Sequence, residues 1–218
     1  MASKPYDSKP QEDLSYSPHS NGPDRDAAPD TEGAEIGVLQ GGFSNEILQT
    51  PVRKLHLIDY WTHVPGHVDN AISLDQGGHD QNERMVRERF APEIKAGCVN
   101  VIKASSLEAA KQFQPGQLDW IFLDADHTYE RVLEDLIAWH EKIKQGGVLM
   151  GHDYLDTGAA VRLNFGVIPA VQKFCREHRW KLTHLTRTAR MNGHLSDSNA
   201  HEQPDHTNTY RHSGHPGP

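Results

Sequence analysis

The stretch GGVLMGHDY, residues 146–154, is an apolar run that ends abruptly on an imidazole and a carboxylate, His152 and Asp153. A second run, DWIFLDADHTY, ends on Asp124, Asp126 and His127. Imidazole titrates near neutral pH, so His127 or His152 has the chemistry of a general base that takes a proton from a substrate hydroxyl. Each also has a plainer role open to it. His127 could bond the first turn of the helix that follows, and His152 could orient a neighbouring group. Two core strands would end on such residues if an active cleft begins where both of them stop.

Upstream, EIGVLQGGFS is a glycine-containing turn between a strand and a helix. A dinucleotide fingerprint G-x-G-x-x-G would need glycines at 37, 39 and 42, and Leu39 occupies the middle position, where a pyrophosphate must approach the backbone. That speaks against a nicotinamide-dependent oxidoreductase. A ligand without phosphates still gains from Gly37, because an absent side chain lets it lie across the strand end, while Glu35 could meet an ammonium group directly or through water. Asp59 follows about 20 residues on, where a carboxylate can accept both ribose hydroxyls. S-adenosylmethionine combines these features. A plain tight turn and a solvated strand end are the alternatives for Gly37 and Asp59. Ser105 and Ser106 could hydrogen-bond an adenine edge or cap the next helix.

These residues need elements to hold them. AEIGVLQ, KLHLIDYW, VNVIKA, LDWIFLDAD and GVLMGHD read as five strands, separated by helical segments FSNEILQ, QNERMVRERFAPEIK, SLEAAKQF and YERVLEDLIAWHEKIK. In the last of these, Tyr129, Val132, Leu133, Leu136, Trp139 and Ile143 form an apolar stripe. Asp126 or Thr128 is available as its cap, and Gly146 and Gly147 are expected to stop it. Alternation of strand and helix predicts an α/β fold, a doubly wound, mostly parallel Rossmann-like sheet whose ligands gather at the carboxyl ends of the strands.

The expected domain spans residues 33–190. Residues 1–32 carry seven acidic against three basic side chains and read as a disordered acidic tail; residues 191–218 read as a disordered His-rich tail able to bind metal weakly. A net charge of −8 with no basic face argues against nucleic acid as a partner. No apolar run is long enough for a membrane span, and Cys98 and Cys175 are isolated, so a reduced cytoplasmic setting is expected. The long segment 63–80 is expected to lie over an acceptor site, with His63, His67 and His79 solvent-exposed and not a metal cluster.

From Glu32 to Thr186 the residues resemble the class I S-adenosylmethionine-dependent methyltransferases, in a branch with an EIGV…G…S first motif and a DADHTYE…D…W…GG…GHDY block. The resemblance implies that Glu35, Gly37 and Gly41 surround the methionine part of the donor, Asp59 the ribose, Ser105 or Ser106 the adenine, with Asp124 at the end of the fourth strand also at the donor. Several relatives that methylate hydroxyls hold magnesium, and the matching positions are Asp124, His152 and Asp153. Magnesium prefers oxygen ligands, so His152 fits that set poorly. The expected function is methylation of a small-molecule acceptor at oxygen, with no nucleic-acid or membrane partner and an oligomeric state that the sequence does not specify.

Two departures from that family stand out. A polar tail leads directly into the first strand, where relatives carry a covering helix. After VIPAVQKFCREHRW and KLTHLTRT, a helix and a strand, no segment beyond Arg190 reads as the antiparallel last strand, so that strand is expected to be missing through truncation or a frame shift. A noncatalytic remnant acting as a binding protein is the competing reading on both grounds, the missing last strand and the bare N-terminal edge.

Overall fold

The computed structural model describes residues 31–65, 74–155, 158–185 and 208–212. Five apolar segments pair in parallel as β1 (Glu32–Ile36), β2 (Lys54–Asp59), β3 (Val99–Lys103), β4 (Leu118–Leu123) and β5 (Ile143–Gly151), side by side in the order β3-β2-β1-β4-β5. Every residue of β1 is buried, as a central parallel strand covered on both faces requires. The fold class is the doubly wound α/β sheet that the sequence predicts.

Alternation along β2 divides the core in two. Leu55 and Leu57 pack with Val86 and Phe90, from the side of α1 (Gly42–Ile47), α2 (Gln76–Arg89) and α3 (Ala91–Lys95). Ile58 and His56 face the opposite layer, His56 edge-on to Phe113. That layer is built by α4 (Ser106–Ala110), α5 (Tyr129–Trp139) and α7 (Val167–His178), with Leu136, Trp139 and Phe174 fully covered; the short α6 (Gly158–Arg162) precedes α7. Strand period two thus supplies both faces from one segment.

Local chemistry moves several expected boundaries. The helix expected over QNERMVRERFAPEIK starts earlier, at Gln76, because the Asp75 carboxylate accepts from the Gly78 N–H and caps it. It also breaks at Phe90, and Pro92 sits in the first turn of α3, where its missing N–H costs nothing. Helix α5 ends at Trp139 in a 3₁₀ turn, His140–Lys142, and Gly146 and Gly147 lie inside β5 and do not stop the helix. Glycine is needed at 147 because a Cβ there would stand 2.6 Å from the Asp119 carbonyl oxygen, where the β4–β5 register shifts.

The last strand is present, which corrects the expectation that it is missing. Strand β7 (Asn208–His212) runs antiparallel between β5 and β6 (Trp180–Leu185), pairing with both and completing the order β3-β2-β1-β4-β5-β7-β6. It falls inside the stretch read as a His-rich tail. NTYRH has no apolar alternation, so its strand state comes from the backbone groups of two neighbours and not from its own pattern. Residues 1–30, 186–207 and 213–218, and with them the acidic tail and most of the expected C-terminal tail, lie outside the described residues; so do residues 66–73, including His67. Among the described residues no helix is long and apolar enough to cross a membrane.

Candidate active site

The carboxyl ends of β1 to β4 surround a cavity of about 510 Å³, lined among others by Gly37, Leu39, Asp59, Tyr60, Ser105 and Asp124. That volume suits a nucleoside-sized ligand. Gly37 sits at φ 92, and a Cβ on it would stand 1.9 Å from the Asp124 carbonyl oxygen. The glycine therefore lets β1 and β4 approach at their ends, besides opening the floor to a ligand. Gly37→Ala is expected to lower unfolding stability by at least about 3 kcal/mol, read from urea denaturation. A midpoint equal to that of the natural protein would mean that the strand ends part freely.

Glu35 is 1% exposed and lies behind the cavity wall, where the Ser44 hydroxyl donates to its Oε2 at 2.5 Å. Burial pushes its carboxyl up to about 8; the nearby charges of Asp124 and Asp59 add to the rise, and the Ser44 bond opposes it. The side chain is therefore protonated at neutral pH while no cation is beside it. Gly41 also stands off the cavity: at φ 74 it precedes α1, and a Cβ would press on the Phe90 ring at 2.8 Å.

Asp59 does reach the cavity, but most of its capacity is already used. Its Oδ2 accepts from the Val38 and Leu39 N–H groups at 2.9 and 2.8 Å, and its Oδ1 from the Trp61 N–H at 2.9 Å. A carboxylate offers about four lone-pair positions, which leaves room for one ribose hydroxyl and not for two. Ser105 caps α4 by accepting from the Glu108 N–H. The Ser106 hydroxyl accepts from the Trp139 indole N–H at 2.8 Å and bonds the buried Asp135, whose carboxyl burial raises to about 7. Both serines line the cavity, and both hydroxyls serve the protein itself. Asp135 is not singled out in the sequence; the signal for it is a carboxyl one helical turn before Trp139, on the face of α5 that turns inward.

Adjacent β4 and β5 bring the second group of residues together. His127 Nε2 lies 2.9 Å from Asp153 Oδ2 and 3.3 Å from Asp124 Oδ1, and its ring stacks on Phe165. His152 Nδ1 lies 3.3 Å from Asp153 Oδ1 and 3.7 Å from Asp124 Oδ1. Burial disfavours charge on His127, yet hydrogen bonds and charges from Asp124 and Asp153 outweigh it and hold the imidazole up to about 10. Asp153 is at φ 54; burial works to raise its carboxyl, but the two histidines hold it far below the ordinary carboxylate range. An imidazole held up in this way is a weaker candidate for taking a proton than one near its ordinary value. Of the two imidazoles expected to serve as base, His127 is the one held by two carboxylates, and His152 stands beside Asp153 with its ring tilted against Phe122.

The ligand atoms of Asp124, His152 and Asp153 come within 4.8 Å of one another, the only such group of possible metal ligands among the described residues. They do not fit magnesium. One of the three is an imidazole, a poor match to an ion that prefers oxygen ligands, and both carboxylates already lie against the His127 ring. His63 bonds the Leu74 carbonyl, and His63 and His79 belong to no such group.

A family model described as "Methyltransferase domain" matches residues 34–154, more than half of the chain. An uncharacterized protein of Acanthamoeba polyphaga mimivirus is 26% identical over 146 residues, 64% of this chain and 57% of that protein, so the chain spans little more than half of that relative's length. Among solved structures, the N-methyltransferase NodS from Bradyrhizobium japonicum aligns at a TM-score of 0.55 and 13% identity, over 86% of this chain and 88% of that one. A second crystal of NodS, in complex with S-adenosyl-L-homocysteine, aligns at 0.54 and 12% identity, over 84% and 79%. A precorrin-6y methyltransferase from Geobacter metallireducens aligns at 0.54 and 17% identity, over 84% and 80%. At these identities the structural likeness speaks for the fold.

Proposed function

The chain belongs to the methyltransferase-domain family, and from that premise we propose that it moves the methyl group of S-adenosylmethionine to a hydroxyl oxygen of a small-molecule acceptor. The observation that carries this reading is the position of the cavity: it opens over the ends of β1, β2, β3 and β4, and Asp124 joins it to the His127, His152 and Asp153 group. Bound, the donor supplies an electrophilic methyl on a sulfonium.

In this reading Gly37 gives the methionine part access to the strand ends, and Glu35, behind the wall, ionises to meet its ammonium group through an intervening water. Asp59 spends its remaining lone pair on one ribose hydroxyl, and the adenine lies by Ser105 and Leu107. The acceptor oxygen bonds the methyl carbon while the S–CH₃ bond breaks; its electron pair stays on sulfur, giving S-adenosylhomocysteine. His152 takes the hydroxyl proton, oriented by Asp153, and the fixed charge of His127 steadies both carboxylates. Such transfer depends mainly on in-line positioning, so the cavity walls contribute as much as the base.

Calorimetric titration of the purified protein with S-adenosylhomocysteine tests the donor site. Saturable micromolar binding, unchanged by added magnesium, is expected. A cooperatively folded protein that binds none would overturn the reading in favour of a binding protein without donor chemistry. An enthalpy that depends on magnesium would restore a metal to Asp124, His152 and Asp153. The remnant reading loses its main ground, because β7 supplies the strand it presumed absent.

A further inference from the structure

We propose that Trp61 and Asp59 are positioning residues that hold Leu39 in a conformation otherwise suited to glycine, and so set the donor-facing turn; this rests on the donor reading above. The Gly41 N–H donates to the Val38 carbonyl at 2.8 Å, closing a four-residue turn with Leu39 at its second position. Leu39 has φ 53, left-handed backbone that costs an L side chain and that turns with a positive φ at this position normally fill with glycine. The residue lines the cavity.

Both peptide groups of Leu39 are held from the end of β2 and the segment just after it. Its N–H donates to Asp59 Oδ2 at 2.8 Å, and its carbonyl accepts from the Trp61 indole N–H at 2.9 Å. Trp61 is itself at φ 39, fully buried, and fixed by its own N–H on Asp59 Oδ1 at 2.9 Å. One carboxylate and one indole therefore bracket the turn, and the ring is locked in the core beneath it. Without them, leucine would drift to negative φ and the turn would move off the cavity. Asp59 thus acts on the donor through the backbone as well as by direct contact.

Three variants test this by S-adenosylhomocysteine affinity and melting temperature: Trp61→Phe, Leu39→Gly, and the two combined. Trp61→Phe removes the indole donor and is expected to weaken binding about tenfold. In the double variant glycine takes the positive φ unaided, so affinity returns to within about twofold of the natural value while the melting temperature stays as low as in Trp61→Phe. A merely structural tryptophan would show no such rescue. Unchanged affinity in Trp61→Phe, or a double variant as weak as the single one, would overturn the proposal.

Should Trp61→Phe not fold, Leu39→Val at the exposed turn serves instead, since a β-branched residue resists positive φ still more strongly. It is expected to weaken binding, and natural affinity would overturn the proposal. The natural protein failing to bind at all would overturn the donor reading first, an outcome distinct from binding that ignores these substitutions.

Discussion

Glu35→Gln is expected to bind S-adenosylhomocysteine at least tenfold more weakly than the natural protein and yet to unfold at a higher temperature at neutral pH. Both effects come from the buried carboxyl. Its folded value is raised to about 8, mainly by burial, against about 4.5 in the unfolded chain. The folded state therefore keeps a proton that the unfolded state gives up. The stability this contributes is fully present below about 4.5 and is lost as pH rises toward 8. Glutamine keeps the shape and the bond from Ser44 but never ionises, so the variant gains up to about 3 kcal/mol at pH 7.

The affinity loss has the opposite origin. An ammonium group needs the ionised carboxyl, so ligand binding expels a proton, and affinity in the natural protein rises with pH up to about 8. Calorimetry in buffers of different ionisation enthalpy reads that proton directly. Equal affinity in both proteins, with no proton released, would remove Glu35 from the donor site. The trade of stability for a binding group is a familiar property of functional sites.

His127→Gln is expected to destabilise the protein by about 3–5 kcal/mol near neutral pH, because it removes the cation between two partly buried carboxylates and leaves them facing each other. Here the folded value lies above the unfolded one, about 10 against 6.5. The contribution is thus complete below about 6.5 and is lost as pH rises through 10. Asp153, depressed by the same contacts, adds stability above its ordinary value that is lost as pH falls toward its folded one. Urea titrations from pH 6 to 10 should slope in the natural protein and flatten in the variant. Parallel curves would mean that His127 is neutral in the fold, and would return it to candidacy as the base.

The sequence by itself determined the class of the fold and, with it, the sheet edge that carries the candidate site. Apolar runs such as AEIGVLQ and KLHLIDYW, alternating with helical segments, leave few arrangements other than a parallel sheet, and parallel strands put all their carboxyl ends on one edge. Gly37, Asp59, Asp124 and His152 stand out for that reason: Asp59 is the last residue of β2, and each of the others directly follows a strand. Local pattern was less informative where the chain's own residues do not decide. NTYRH becomes β7 only because β5 and β6 offer it unpaired backbone on both sides.

Tertiary structure alone decided what the site residues are able to do. The composition of DADHTY gives no sign that His127 would meet, besides Asp124 in the same stretch, the carboxylate of Asp153 from the end of β5. Nor does IDYW reveal that Asp59 and Trp61 reach across to the turn of β1 and hold Leu39 where glycine is expected. A residue's type limits its chemistry, but its charge state and free lone pairs depend on neighbours brought together from distant parts of the chain.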